Sequence, residues 1–228
     1  MGKVIVFAGK PSHFARQFAL KQATKGDKVI LGSIDANEIK DIETEIKQVG
    51  GEALALPTNF ADPESVKNLS NTAVSTFGRI DIWVNNIDWV PQSRFSDADN
   101  LVQAWDRIID FNIKGVLHSI SACQPVFHES GQGLFINLGS IDSLYVNANV
   151  SLVYQATKEA VRVISEGFQK EEESNGKSVK VMSFYPGAIK AENQVKISNQ
   201  PNEYLSHSMV QDVEDFYINV LQNIIQKG

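Results

Sequence analysis

Cysteine is almost missing from this chain: Cys123 stands alone among 228 residues, so no intramolecular disulfide can staple the fold. The four histidines, His13, His118, His128 and His207, stand at no metal-ligand spacing with one another or with Cys123, and no metal site is expected. No run approaches the roughly 18 uncharged apolar residues that a membrane-spanning helix requires, which excludes a membrane partner of that kind. The opening residues, MGKVIVFAG, pass straight into a strand-like apolar segment, without the basic, apolar and cleavage regions of a secretory signal, so a cytoplasmic protein is expected. Positive charge is also short. Against 27 Asp and Glu there are 21 Lys and Arg, a formal charge of −6, the wrong sign for an electrostatic nucleic-acid binder.

What is present is an ordinary globular composition, 43% hydrophobic and 21% charged, in a length that suits one domain over residues 1–228. Short apolar runs alternate with longer segments of helical period. Residues 4–9, 29–33, 53–57, 80–86, 133–138 and 179–186 read as six strands. Between them, helical period covers Phe14–Thr24, Glu38–Val49, Pro63–Phe77, a long stretch from Trp105 to Ser130, and Tyr154–Glu173. Strands apolar on both faces and separated by helices imply a parallel sheet covered on both sides, a doubly wound, three-layer α/β fold. The segment Glu192–Ser208, rich in Asn, Gln and Ser, reads as a flexible loop over a substrate site. A last helix is expected from Val210 to Gln226.

In such a sheet, ligands bind beyond the carboxyl ends of the strands where the strand order reverses. The first turn there reads Ala8-Gly9-Lys10-Pro11-Ser12-His13-Phe14-Ala15, with a single glycine and with Ser12 as a candidate N-cap for the next helix. Further along, Tyr154 and Lys158 are four apart and share one helix face. Chance alone produces such a pair in about one of three chains of this composition, so its context matters. Ser140 closes a strand upstream and Asn112 sits in the long helix before that.

Together these segments resemble the short-chain dehydrogenase/reductase family nearly end to end. The resemblance is carried by FGRIDIWVNNID at 77–88, GGEALALPTNFADPESV at 50–66, FNIKG at 111–115, INLGS at 136–140, YQATK at 154–158 and YPGAI at 185–189. It implies a Rossmann-type fold, and an NAD(P)-dependent oxidoreductase that interconverts an alcohol and a ketone or aldehyde. Tyr154 would be the acid/base, since a free phenol has a pKa near 10 and a nearby Lys158 ammonium favours the phenolate. Ser140 would bond the substrate oxygen, and Asn112 would hold a water linking Lys158 to solvent. The resemblance further places Gly9, Ser12, His13, Phe14, Ser33, Asn59, Phe60, Asn86, Tyr154, Lys158, Pro186, Gly187 and Ile189 around NAD or NADP. It sets Trp89, Ile141, Tyr145, Ser140 and Tyr154 around a small alcohol or carbonyl substrate. A homodimer through the long helices that carry Asn112 and Tyr154 is implied. With the chain stopping at Lys227-Gly228, the family's seventh strand is expected to be absent.

The departures from the family pattern lie on the cofactor side. His13 and Ala15 replace two glycines of the phosphate turn, where a Cβ would hinder approach to a pyrophosphate. Ile87-Asp88 replaces two small residues, and Ser33 stands where an acid or a basic clamp would choose between NAD and NADP. The same residues therefore also fit a protein that keeps the fold, has weakened dinucleotide affinity, and acts as a binding or regulatory protein or takes a different ligand in the pocket.

Overall fold

A computed structural model describes residues 2–90, 101–139, 151–186, 194–197, 204–206, and residues 219, 222, 223 and 225. Strands β1 (Val4–Gly9), β2 (Lys28–Ser33), β3 (Glu52–Pro57), β4 (Ile82–Asn86), β5 (Gly133–Leu138) and β6 (Val179–Pro186) form a parallel sheet in the order β3-β2-β1-β4-β5-β6. Strand β1 is buried along its whole length. Its residues alternate between the two faces: Ile5 and Phe7 enter one core cluster, Val4, Val6 and Ala8 the other.

Helices α1 (His13–Ala23) and α2 (Ala36–Gln48) cover the first face, packing Phe18, Ile39, Ile42 and Ile46 against it. The opposite face is covered by α3 (Pro63–Phe77), α5 (Gly115–Ser130) and α6 (Leu152–Ser174), which bring in Leu69, Phe127 and Phe168. Local chemistry starts and stops these helices. Ser12, Asp35, Asp62 and Ser151 each accept a hydrogen bond from an amide of the first turn of α1, α2, α3 and α6. Gly78 and Gly131 end α3 and α5 in the left-handed conformation.

Two expectations are corrected. The long helical stretch near Trp105–Ser130 begins earlier and is broken: α4 (Leu101–Ile109) leads into a π-helical turn over Asp110–Lys114 before α5. One extra residue per turn there changes which side chains face inward, and Asn112 is fully buried as a result. The segment Glu192–Ser208, expected as a loop, contains two short strands, β7 (Gln194–Ile197) and β8 (Tyr204–Ser206). Strand β7 pairs antiparallel along the open edge of β6, whose unpaired backbone groups offer a template, and β8 pairs antiparallel with β7. No seventh parallel strand is present among the described residues.

Candidate active site

The strand order reverses between β1 and β4, and the two carboxyl ends are tied together there. The Lys10 amide donates to the Asn86 carbonyl at 3.0 Å, and Asn86 Nδ2 donates to the Lys10 carbonyl at 3.0 Å. Gly9 makes this approach possible: its φ is +129°, and a Cβ there would lie 2.2 Å from the Asn86 oxygen. Outside this junction lies a cavity of about 370 Å³, lined by the β1 turn, the end of β2, Phe60, Phe111 and the segment from Ile87 to Val90.

Beside it, α6 presents Tyr154 and Lys158, both buried, with Lys158 Nζ 5.5 Å from the centre of the Tyr154 ring. Lys158 Nζ donates to the Ile87 carbonyl at 3.2 Å and stands 2.8 Å from Asp88 Oδ1. Asn112 faces the same corner. Its Oδ1 accepts from the Trp89 amide at 2.9 Å, and its Nδ2 donates to the Trp89 carbonyl at 3.0 Å and to Thr157 Oγ1 at 3.2 Å. Both amide protons are thereby engaged, so the side chain clamps the backbone after β4 onto α6. The Trp89 ring carries the Arg107 guanidinium over its face at 5.0 Å.

Of the residues named from sequence, Gly9, Ser33, Phe60 and Trp89 line the cavity. Asn112, Tyr154 and Lys158 meet at its side. Ser12 Oγ caps α1 by accepting from the Ala15 amide at 3.3 Å, and Ser33 Oγ accepts from the Asp35 amide at 3.2 Å. Asn59 is exposed, and its Oδ1 accepts from the Ala61 amide at 3.1 Å. The Phe14 side chain packs on the core against Phe18, leaving its backbone as the part that faces the turn. Pro186 ends β6 opposite Val195. Ser140, Ile141, Tyr145, Gly187 and Ile189 lie outside the described residues.

Whether these residues fit a dinucleotide turns on the departures noted above, and the structure turns two of them, Ala15 and His13, away from the cavity. Ala15 is fully buried in the core under α1, so its methyl faces the sheet and not the phosphate side. His13 is exposed and its ring lies 3.4 Å from Gln17 Nε2, away from the cavity lining. Ile87 turns into the core, close enough that a Cβ on Gly115 would meet its Cδ1 at 3.2 Å. Ile87 still forms part of the cavity wall, and Asp88 is the departure that brings a charge into it. The charged residues of the lining, Lys10 against Asp35, Glu38 and Asp88, are predominantly acidic. Glu38 is a lining group that no motif marks; like Asp35, its signal in the sequence is its place just after β2.

Elsewhere, Cys123 is buried in α5, and burial pushes its thiol well above the usual range, so it stays protonated. Among the described residues no group of His, Cys, Asp and Glu could hold a metal ion, and no helix is long and apolar enough to cross a membrane.

The fold and this corner define a Rossmann-type α/β protein with a Tyr–Lys pair at the switch point of its sheet. The profile described as short chain dehydrogenase matches residues 3–202. An uncharacterized oxidoreductase of Staphylococcus saprophyticus is 33% identical over 221 residues, covering 96% of this chain and 85% of the relative. An uncharacterized oxidoreductase of Staphylococcus aureus is 33% identical over 187 residues, 82% of this chain and 78% of the relative. In fold, the chain is similar to the crystal structure of a short-chain type dehydrogenase/reductase from Mycobacterium marinum, with a TM-score of 0.75 at 24% identity, covering 82% and 74% of the two chains. The chain belongs to the short-chain dehydrogenase/reductase family of oxidoreductases.

Proposed function

We propose that the protein is an NAD(P)-dependent oxidoreductase that interconverts an alcohol and a ketone or aldehyde, with Tyr154 as acid/base. The observation that carries this reading is the burial of Tyr154 and Lys158 one helical turn apart, against the backbone that lines the switch-point cavity. A bound nicotinamide supplies or accepts the hydride at the carbon. In reduction, the Tyr154 phenol gives its proton to the carbonyl oxygen as the hydride arrives; in oxidation, the phenolate takes the hydroxyl proton. The Lys158 ammonium favours the phenolate and has a further donor for a ribose hydroxyl, while Ser140 is proposed to bond the substrate oxygen. The fit of the cradle at Gly9 supports a dinucleotide there. Asp35 and Glu38 repel an added phosphate on the adenosine ribose, which favours NAD over NADP.

Millimolar NADH is expected to raise the melting temperature, and NADPH to raise it less. At a concentration of about 100 times Kd the stabilisation is about 2.7 kcal/mol, which for a chain of this size is roughly 5–10 °C. No shift with either nucleotide refutes the reading and turns attention to a different ligand in the cavity, or to a binding or regulatory role.

The same reading extends to assembly as a homodimer through the helices that carry Asn112 and Tyr154. It is supported by large apolar side chains exposed on these helices: Val102 and Ile109 on α4, Leu117 on α5, Leu152 and Val163 on α6. Light scattering is expected to give twice the 25.2 kDa chain mass, and a monomer overturns it.

A further inference from the structure

Asp88 stands where the family keeps a small residue, and it is the one carboxylate in contact with Lys158 among the described residues. The lysine is 2% exposed and the carboxylate 27%, so the pair sits largely out of water, where its field is poorly screened. The Tyr154 phenol reads the sum of both charges. Lys158 draws its proton off, and the carboxylate of Asp88, paired with Lys158, opposes that.

We propose that Asp88 is a built-in counter-charge on Lys158, a positioning residue that keeps the Tyr154 phenol protonated at neutral pH and so suits the site to carbonyl reduction, with alcohol oxidation appearing only at higher pH. The inference rests on the oxidoreductase reading for its consequence, though not for its electrostatics. The sign follows from the two directions of the reaction. Reduction needs the phenol as acid and runs below its pKa; oxidation needs the phenolate as base and runs above it. A carboxylate held on Lys158 raises that pKa relative to the same site without the carboxylate.

The other charged groups facing this corner do not cancel the effect. On the π-helical turn Asp110 pairs with Lys114 at 2.6 Å and is close to neutral with it, and on α6 Arg162 sits between Glu159 at 3.0 Å and Glu166 at 2.8 Å, a group whose net charge is negative and so acts in the same direction as Asp88. Arg107 on α4 lies over the Trp89 ring. Lys10, Asp35 and Glu38 line the far part of the cavity, and their sum is again negative. From β6, the phenol of Tyr185 is pushed up to about 12 by burial and stays neutral.

Asp88→Asn removes the charge with little change of shape, and Lys158 keeps its hydrogen bond to the Ile87 carbonyl. Ultraviolet phenolate titration of the apo protein, with the Tyr154→Phe background subtracted to isolate one of the 5 tyrosines, is expected to show the Tyr154 midpoint falling by about one pH unit in this variant. Well below the midpoint, that corresponds to a roughly tenfold larger phenolate population, and the onset of alcohol oxidation moves down in pH by the same amount. Asp88→Ser, also uncharged, gives the same shift, while Asp88→Glu keeps the original profile. A titration that is unmoved, or moved upward, in both uncharged variants overturns the inference even if NADH binds. A titration that moves as expected in a protein that binds neither nucleotide supports the counter-charge and instead overturns the oxidoreductase reading.

Discussion

Tyr154→Phe is expected to lower turnover by roughly 10²–10⁴-fold, the usual range for a general acid/base, while the rise in melting temperature with nucleotide stays in place. The substitution removes one oxygen. The ring remains buried at the start of α6, where Ser151 still caps the Tyr154 amide, so the fold loses about 1 kcal/mol at most. Steady-state kinetics of both directions, run beside the thermal-shift titration, separate the two quantities. Turnover within about tenfold of the parent would show that another group moves the proton.

Asn112→Ala carries the second large effect, and this one falls on stability. The carboxamide makes three hydrogen bonds, two of them to the Trp89 backbone and one to Thr157, from a side chain with no exposure. Alanine strands those partners in a poorly hydrated corner, and each stranded group costs about 1–3 kcal/mol before water relieves any of it. A net loss of roughly 2–5 kcal/mol is expected, a fall in melting temperature of about 5–15 °C. Urea unfolding checks it as a lower midpoint at unchanged slope. Asn112→Asp fares no better, because a carboxylate accepts from the Trp89 amide but faces the Trp89 carbonyl with a second acceptor. If Asn112→Ala unfolds at the parent's midpoint, the clamp has no energetic role.

Much of the architecture was legible along the chain because it depends on local period. The runs at 133–138 and 179–186 are strands with those bounds, and Pro63–Phe77 is a helix with those bounds. The π-helical turn at Asp110–Lys114 was not legible, since one extra residue in a helix scarcely alters the apolar spacing on either side. Strands β7 and β8 were hidden for a different reason. Four and three residues are too few to show alternation among polar neighbours, and their partner is an edge that exists only in the folded sheet.

The candidate site divides the same way. Tyr154, Lys158 and Asn112 were recognisable from motifs, and the structure brings all three to one corner. Ala15 and His13 looked like obstacles to a pyrophosphate because a sequence does not tell which way each side of α1 turns; one faces the core and the other solvent. Asp88 looked like a bulky acid near a phosphate, and its contact with Lys158 spans 70 positions of chain. The types and order of the six parallel strands and their main connecting helices, and the family, were set by the sequence alone, through residue period and short motifs that act over a few positions. Which residues face one another across the switch point was decided only by the tertiary structure, because the strand order and the rotation of each helix about its axis are settled by packing the whole sheet at once.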